Sequence, residues 1–378
     1  QILMPYLKLL TIMGLRPVVD VANSSKWSIY FSHIHTGQVA VLMCLGYILQ
    51  YIRDRGFCYK LVPLALASSL EYETYKQVCY GNVAVAYIGP SVLHFLGFLY
   101  ALYLFRISDN EQLQNLMERV SEYLYLLYIF IDKSYTGIVE KFCIIFVKMI
   151  FVLTYYITII YIYSSTEVLL TLKILLMVCS LIHDMVQATI ITSYCLQAQL
   201  LQAHLMFLKE RLLNRTITPL DWMREVSEFR KLLKYLNDDL APAVCLFTIV
   251  NLSWAVSGII WLLNMDKMDT GTEPIKGISV LNQLLWLSAA IVPFIQAARL
   301  TKECGLTRSM GHELCVRPFL HQDTSHEDVV TILMYASTLK LKAKLYCNPV
   351  EGRYVCLILT VCTIALFALG MCHYLQEM

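Results

Sequence analysis

Charge is what this sequence has least of. Of its 378 residues, 30 are Lys or Arg and 28 are Asp or Glu, together 15%, too few to coat a water-soluble chain of this length. A hydrophobic share of 58% and a mean hydropathy of +0.58 point to lipid as the solvent. The net charge of +2 supplies no basic field, and no nucleic-acid partner is expected. Paired cysteines are also missing. The 13 cysteines are scattered through apolar stretches with no C-x-x-C and no matching histidines, which argues against a zinc module or a disulfide framework. Cys58 and Cys79 fall in a segment expected outside the membrane, where a disulfide is chemically allowed; free buried thiols are expected for most of the others. There is no nucleophile elbow, Walker loop, H-E-x-x-H or dinucleotide fingerprint, so no enzyme, cofactor or metal is expected.

Long apolar runs are what the chain does have. About 20 such residues, at about 1.5 Å each, cross a hydrocarbon core of roughly 30 Å. Seven windows qualify: residues 33–52, 83–105, 143–163, 168–196, 243–264, 277–298 and 354–375. The expected fold class is an all-α membrane protein with seven transmembrane helices. The fourth window exceeds a crossing and should continue as helix into the cytoplasm. Residues 2–18 and 61–70 are short or broken by proline and read as interfacial or re-entrant pieces.

Cytoplasmic loops retain Lys and Arg, so their placement orients the chain. Residues 1–32, 106–142, 197–242 and 299–353 carry 22 of the 30, against 6 on the other side. The N-terminus is therefore expected in the cytoplasm and the C-terminus outside, the reverse of a G-protein-coupled receptor. The sequons at Asn23, Asn214 and Asn251 fall in cytoplasmic segments or within a span and should stay unmodified.

The cytoplasmic segments are patterned. Leu201, Leu205, Leu208 and Leu212 form one stripe on the extended fourth helix. Thr218 and Pro219 look like an N-cap and first-turn pair. They open an amphipathic helix through Trp222, Val226, Phe229, Leu233 and Leu236 that should end near Pro242. Ser325 with Asp328 resembles a capping box before Val329, Ile332, Leu333, Ala336 and Leu339. Such stripes either pack together as a helical cytoplasmic domain or lie flat on the membrane.

Polar groups at membrane depth are costly and mark candidate sites. The fourth span carries Lys173, Ser180, Asp184 and Gln187 on one face beside His183. His94, Tyr155, Tyr156, Tyr161, Asn251, Trp254, Trp261, Asn282, Gln283 and Trp286 add aromatic rings, amides and an imidazole in other spans. Such groups suit a pocket for a small polar ligand. Each also has a plain structural use: Lys173 snorkelling, Asp184 pairing with another helix, Tyr161 and Trp261 as interface belt, and Asn251 or Asn282 as interhelical glue. Thr360, Thr363, Phe367, Gly370 and Tyr374 share a face of the last span, suited equally to lining a water-filled pore and to helix packing.

The layout resembles the insect gustatory receptors and their odorant-receptor relatives. The resemblance is carried by seven spans with the N-terminus inside, a short apolar segment from Leu3 to Pro17, helical cytoplasmic extensions and a pore-like last span. The segment from Ala343 to Val350 is similar to the family's approach to the seventh helix. The family's signature there is Thr-Tyr, five hydrophobic residues and Gln-Phe. Here Thr363-Ile364, Ala365 to Leu369 and Gly370-Met371 keep the threonine and the spacer alone, a departure from the sugar-sensing branch. The resemblance implies a ligand-gated, non-selective cation channel, tetrameric as a homo- or heteromer, in the plasma membrane of chemosensory neurons. It would be opened by a sugar, a bitter compound or carbon dioxide.

Three regions follow from that resemblance. Residues 1–298 are six spans enclosing the ligand bundle, with 197–242 as its cytoplasmic helical part; 299–353 are a cytoplasmic anchor; 354–378 hold the pore-lining seventh helix. Its site residues are then His94, Tyr155, Tyr156, Lys173, Ser180, His183, Asp184, Trp254, Asn282, Gln283 and Trp286 for the ligand. Thr360, Thr363, Phe367, Gly370 and Tyr374 serve the pore. The competing readings are a seven-helix receptor coupled to a separate effector, which the charge count opposes, and a transporter, for which no internal repeat is visible. A glycosylation scan checks the orientation: a sequon engineered after Met378 should be modified and Asn214 should not. The opposite pattern restores the effector-coupled reading.

Overall fold

The computed structural model describes residues 4–17, 26–60, 88–106, 170–214, 216–265, 273–316, 326–346 and 348–353. Among them the elements run α1 (Met4–Ile12), α2 (Lys26–Lys60), α3 (Gly89–Arg106), α4 (Leu170–Leu213) and α5 (Pro219–Tyr235). A π-helical turn (Leu236–Leu240), α6 (Ala241–Met265), α7 (Glu273–Val316), α8 (His326–Thr338) and a hairpin of β1 (Lys344–Leu345) and β2 (Asn348–Pro349) follow. The expected third and seventh spans, the piece at 61–70, Ser325 and Cys79 lie outside the described residues.

Among the described residues, three helical stretches are long and apolar enough to cross a membrane: Ile174–Leu213, Pro219–Ile259 and Val280–Met310. They contain or overlap the expected fourth, fifth and sixth spans. On α2, Trp27, Phe31, Ile34, Val41 and Ile48 are exposed at steps of three, four and seven residues. That stripe is about 32 Å long, close to the thickness of a hydrocarbon core.

Two boundaries differ from expectation for physical reasons. Helix α7 runs past residue 298 to Val316, because Leu300, Cys304, Thr307 and Met310 continue the helical spacing and are all buried. Helix α5 does not end near Pro242. It passes through the π turn straight into α6, with the Ala241 amide bonding to the Leu236 carbonyl. Pro242 has no N–H for the carbonyl four residues back, and the widened turn carries the chain past it.

The chain divides into two units. The first contains α1 to α3 with residues 170–191, 246–265 and 273–290; its core includes Leu10, Met43, Phe98, Phe105, Val186, Ile190 and Phe247. The second holds 192–245 and 291–353. There Leu201, Leu205, Leu208 and Leu212 are buried, as are Trp222, Val226, Phe229, Leu233 and Leu236. Thr218 caps α5, its Oγ1 accepting from the Asp221 amide at 3.2 Å, and Pro219 follows in the first turn. Helix α8 supplies part of the cover: the Tyr335 ring meets Trp222 edge-on at 5.9 Å, and its hydroxyl donates to the Met223 carbonyl at 3.3 Å. The stripes of α4 and α5 are therefore packed within protein and do not lie on a membrane surface.

The hairpin was not expected from the sequence. Within the second unit it is held from three elements. Asn237, in the π turn, donates to the Lys342 carbonyl at 3.0 Å and accepts from the Lys344 amide at 2.8 Å. Thr301 Oγ1 on α7 accepts from the Ala343 amide at 3.1 Å. Tyr346 takes a left-handed backbone, φ 52°; its hydroxyl donates to the Cys245 carbonyl at 2.9 Å, and its ring stacks on Phe294 at 6.2 Å. Burial raises the Tyr346 phenol well above its usual range, with the Cys245 thiol adding to the shift.

Candidate functional site

A cluster of polar and aromatic side chains lies in the first unit. It begins with a glycine. On α2, a Cβ at Gly46 would sit 2.8 Å from the ring atoms of His183 and 2.9 Å from the Cys179 side chain, so only glycine lets the imidazole of α4 approach this closely. His183 Nε2 lies 2.8 Å from the Met43 carbonyl. A carbonyl only accepts, so the proton is on Nε2 and Nδ1 is left as an acceptor facing the Gln50 amide at 3.4 Å. Gln50 also donates to Ser180 Oγ at 3.1 Å. The Tyr47 ring stacks on His183 at 4.3 Å, and its hydroxyl bonds His94 Nδ1 at 2.6 Å.

Rings close around His94, which is fully buried. Phe247 meets it edge-on at 5.1 Å, Trp254 lies at 5.7 Å and His183 at 5.4 Å. Trp286 on α7 then packs against Trp254 at 5.1 Å. Phe247, Asn251 and Trp254 are one helical turn apart on α6, and His183 and Gln187 one turn apart on α4. The bond from the Gln187 amide to Asn251 Oδ1 therefore falls beside His94. Three buried hydrogen-bonding positions in this patch have no partner among the described residues: His94 Nε2, Gln187 Oε1 and Asn251 Nδ2. Leaving such groups unmet costs about 1–3 kcal/mol each. They are what a small guest molecule would satisfy.

Of the sequence-derived ligand residues, the structure brings together His94, Ser180, His183, Trp254 and Trp286. Asp184 and Asn282 are half-buried. The Gln283 amide lies against Gly258, where a Cβ would not fit, and its Oε1 lacks a partner among the described residues. The side chain of Lys173 lies outside the described residues, as do Tyr155, Tyr156 and the pore positions Thr360, Thr363, Phe367, Gly370 and Tyr374. Four cluster members were not singled out from the sequence: Tyr47, Gln50, Met43 through its carbonyl, and Phe247. Gly46, Tyr47 and Gln50 within one apolar run were the available signal. No group of three or more His, Cys, Asp or Glu suited to a metal occurs among the described residues. The contacts within the cluster are hydrogen bonds and ring contacts.

No protein-family model matches this sequence, and no curated protein matches it. In structure it is similar to the insect olfactory receptor OR5 from Machilis hrabei in complex with eugenol. The TM-score is 0.59 at 12% identity, over 98% of this chain and 97% of that one. A second structure of that receptor gives 0.50 at 10% identity, covering 97% of each chain. At these identities the likeness shows a shared fold.

The close approach at Gly46 makes a testable point. Gly46→Ala should destabilise the protein by ~1–3 kcal/mol through overpacking against His183. It should lower the thermal midpoint in detergent, whereas Gly37→Ala, with open space around it, should not lower it. An unchanged midpoint for Gly46→Ala would show that the imidazole is not held there.

Proposed function

We propose that the chain is a chemosensory receptor of the insect gustatory type, acting as a subunit of a ligand-gated cation channel in the plasma membrane. The observation that carries this reading is the partly unsatisfied polar-aromatic cluster of His94, His183, Gln187, Asn251 and Trp254 between helices of membrane-crossing length. The fold shared with an insect olfactory receptor supports it. That receptor's complex with eugenol, a small aromatic molecule, is the kind of occupancy such a cluster suits. We assign this chain seven spans, a cytoplasmic N-terminus and assembly as a tetramer of like or related subunits, with residues 354–378 supplying the pore helix. The gustatory branch is preferred over the odorant one because the odorant group's C-terminal phrases are absent from residues 354–378.

The mechanism is a population shift. A small ligand meets the open hydrogen-bond positions in one conformation better than in another, and its differential affinity favours the open pore. Helices α6 and α7 carry both cluster residues, Trp254 and Trp286, and strap residues, Cys245 and Thr301. The hairpin ends at Pro349, five positions before residue 354. Each of these helices is continuous from its cluster residue to the residue that holds the hairpin, and we take that continuity as the link to the last span.

The chain expressed alone in cells, with current recorded against sugars, bitter compounds and carbon dioxide, identifies the ligand class. With an agonist in hand, Trp254→Ala should raise the half-maximal concentration about tenfold or more at unchanged maximal current, the loss of one or two good contacts. Gly370→Leu should change conduction itself. An unmoved dose response for Trp254→Ala excludes the cluster as the ligand site, and unaltered currents in Gly370→Leu move the pore face elsewhere.

A further inference from the structure

We propose that the junction of α1, α2 and α3 binds the headgroup of an anionic phospholipid, with Arg106 at its centre. At this end of the three helices, residues 4–17, 26–36 and 95–106 hold Lys8, Arg16, Lys26 and Arg106 and not one Asp or Glu. Arg106 ends α3 and reaches only neutral acceptors among the described residues. Its guanidinium donates to the Gly14 carbonyl at 3.2 Å, to Ser32 Oγ at 3.0 Å and to Thr36 Oγ1, with His33 Nδ1 at 3.4 Å. Gly14 allows this geometry: its φ of +71° and the 3.2 Å from a would-be Cβ to the Thr36 backbone both exclude a side chain. These bonds aim the guanidinium, and no carboxylate among the described residues pairs with its charge, which suits an anionic partner in this half-buried setting.

The surroundings point to a lipid as that partner. Lys26 lies six residues before Ser32, about 9 Å along α2, and both Lys26 and Lys8 are exposed. On the outside of the same turns Trp27, Tyr30 and Phe31 are 73%, 60% and 66% exposed, the aromatic belt of a membrane interface. Cations set beside interfacial rings, at one end of a lipid-length apolar stripe, match a phospholipid: phosphate oxygens for the exposed ammonium groups, its negative charge for the guanidinium, acyl chain for the rings. The site rests on the membrane reading and orientation proposed above, which put it at the inner leaflet, where anionic lipids concentrate.

The test uses the full chain in nanodiscs of phosphatidylcholine, with or without phosphatidylserine, read by native mass spectrometry of retained lipid and by thermal midpoint. Phosphatidylserine should be retained over phosphatidylcholine and should raise the midpoint; inorganic phosphate added to phosphatidylcholine discs should not. Arg106→Gln also cuts bonds to the α1 turn, so the deciding variant is Lys8→Gln/Lys26→Gln, which leaves those bonds intact. It should lower phosphatidylserine retention about fivefold per charge removed. Equal retention of the two lipids by the unmodified chain, undiminished retention by the double variant, or stabilisation by inorganic phosphate alone would each overturn the site. Retention needs no current. A chain that conducts without lipid preference loses only this site, and one that retains phosphatidylserine yet never conducts loses only the channel reading.

Discussion

Hydrogen bonding away from water is the constraint on which the rest of this structure depends. A polar side chain between membrane-length helices finds its partner inside the protein or pays the full desolvation cost. Tyr47, Gln50, His94, Ser180, His183, Gln187 and Asn251 meet that demand jointly, across α2, α3, α4 and α6. Interhelical bonds of this kind are worth only about 0.6–2 kcal/mol each. Their larger effect is geometric: a shift of any helix by one residue would separate Tyr47 from His94 or Gln187 from Asn251. The network sets the register of the bundle and still leaves three positions without a partner among the described residues, the feature on which the proposed ligand site rests.

The same hydrogen-bonding demand organises the second unit. Residues 342–344 lie past the end of α8, and Asn237 and Thr301 pair with their backbone groups. The π turn places Asn237 for this task. Its widened hydrogen bonding accommodates Pro242 and leaves α5, the turn and α6 as one continuous helical run. At the junction of α1, α2 and α3 the demand is electrostatic as well, since among the described residues neutral oxygens meet the donors of Arg106 and no carboxylate meets its charge.

Much of the helical framework was legible in the sequence because amphipathic spacing states which face must be covered. Leu201 to Leu212 and Trp222 to Leu236 were readable as stripes and are buried. Thr218 and Pro219 were readable as a cap because the capping geometry is local. Features that depend on a second element were not legible. Tyr47 and Gln50 look like ordinary span residues until α3 and α4 are beside them. The hairpin at 344–349 has two-residue strands, too short for any periodicity, and exists through side chains more than 40 positions away in sequence. Pro242 suggested a helix end because proline breaks α-helical bonding, and nothing local announces that a π turn absorbs it.

The most direct test of the account is electrical and uses the purified chain alone in a planar bilayer. Once an agonist is known, adding it should switch on a conductance whose reversal potential follows the cation gradient. The conductance should return to baseline on washout, as a population shift by a bound ligand requires. Saturable uptake of the same molecule with no current would contradict the account, and would make the cluster around His94 and Trp254 a transport site instead of a gate.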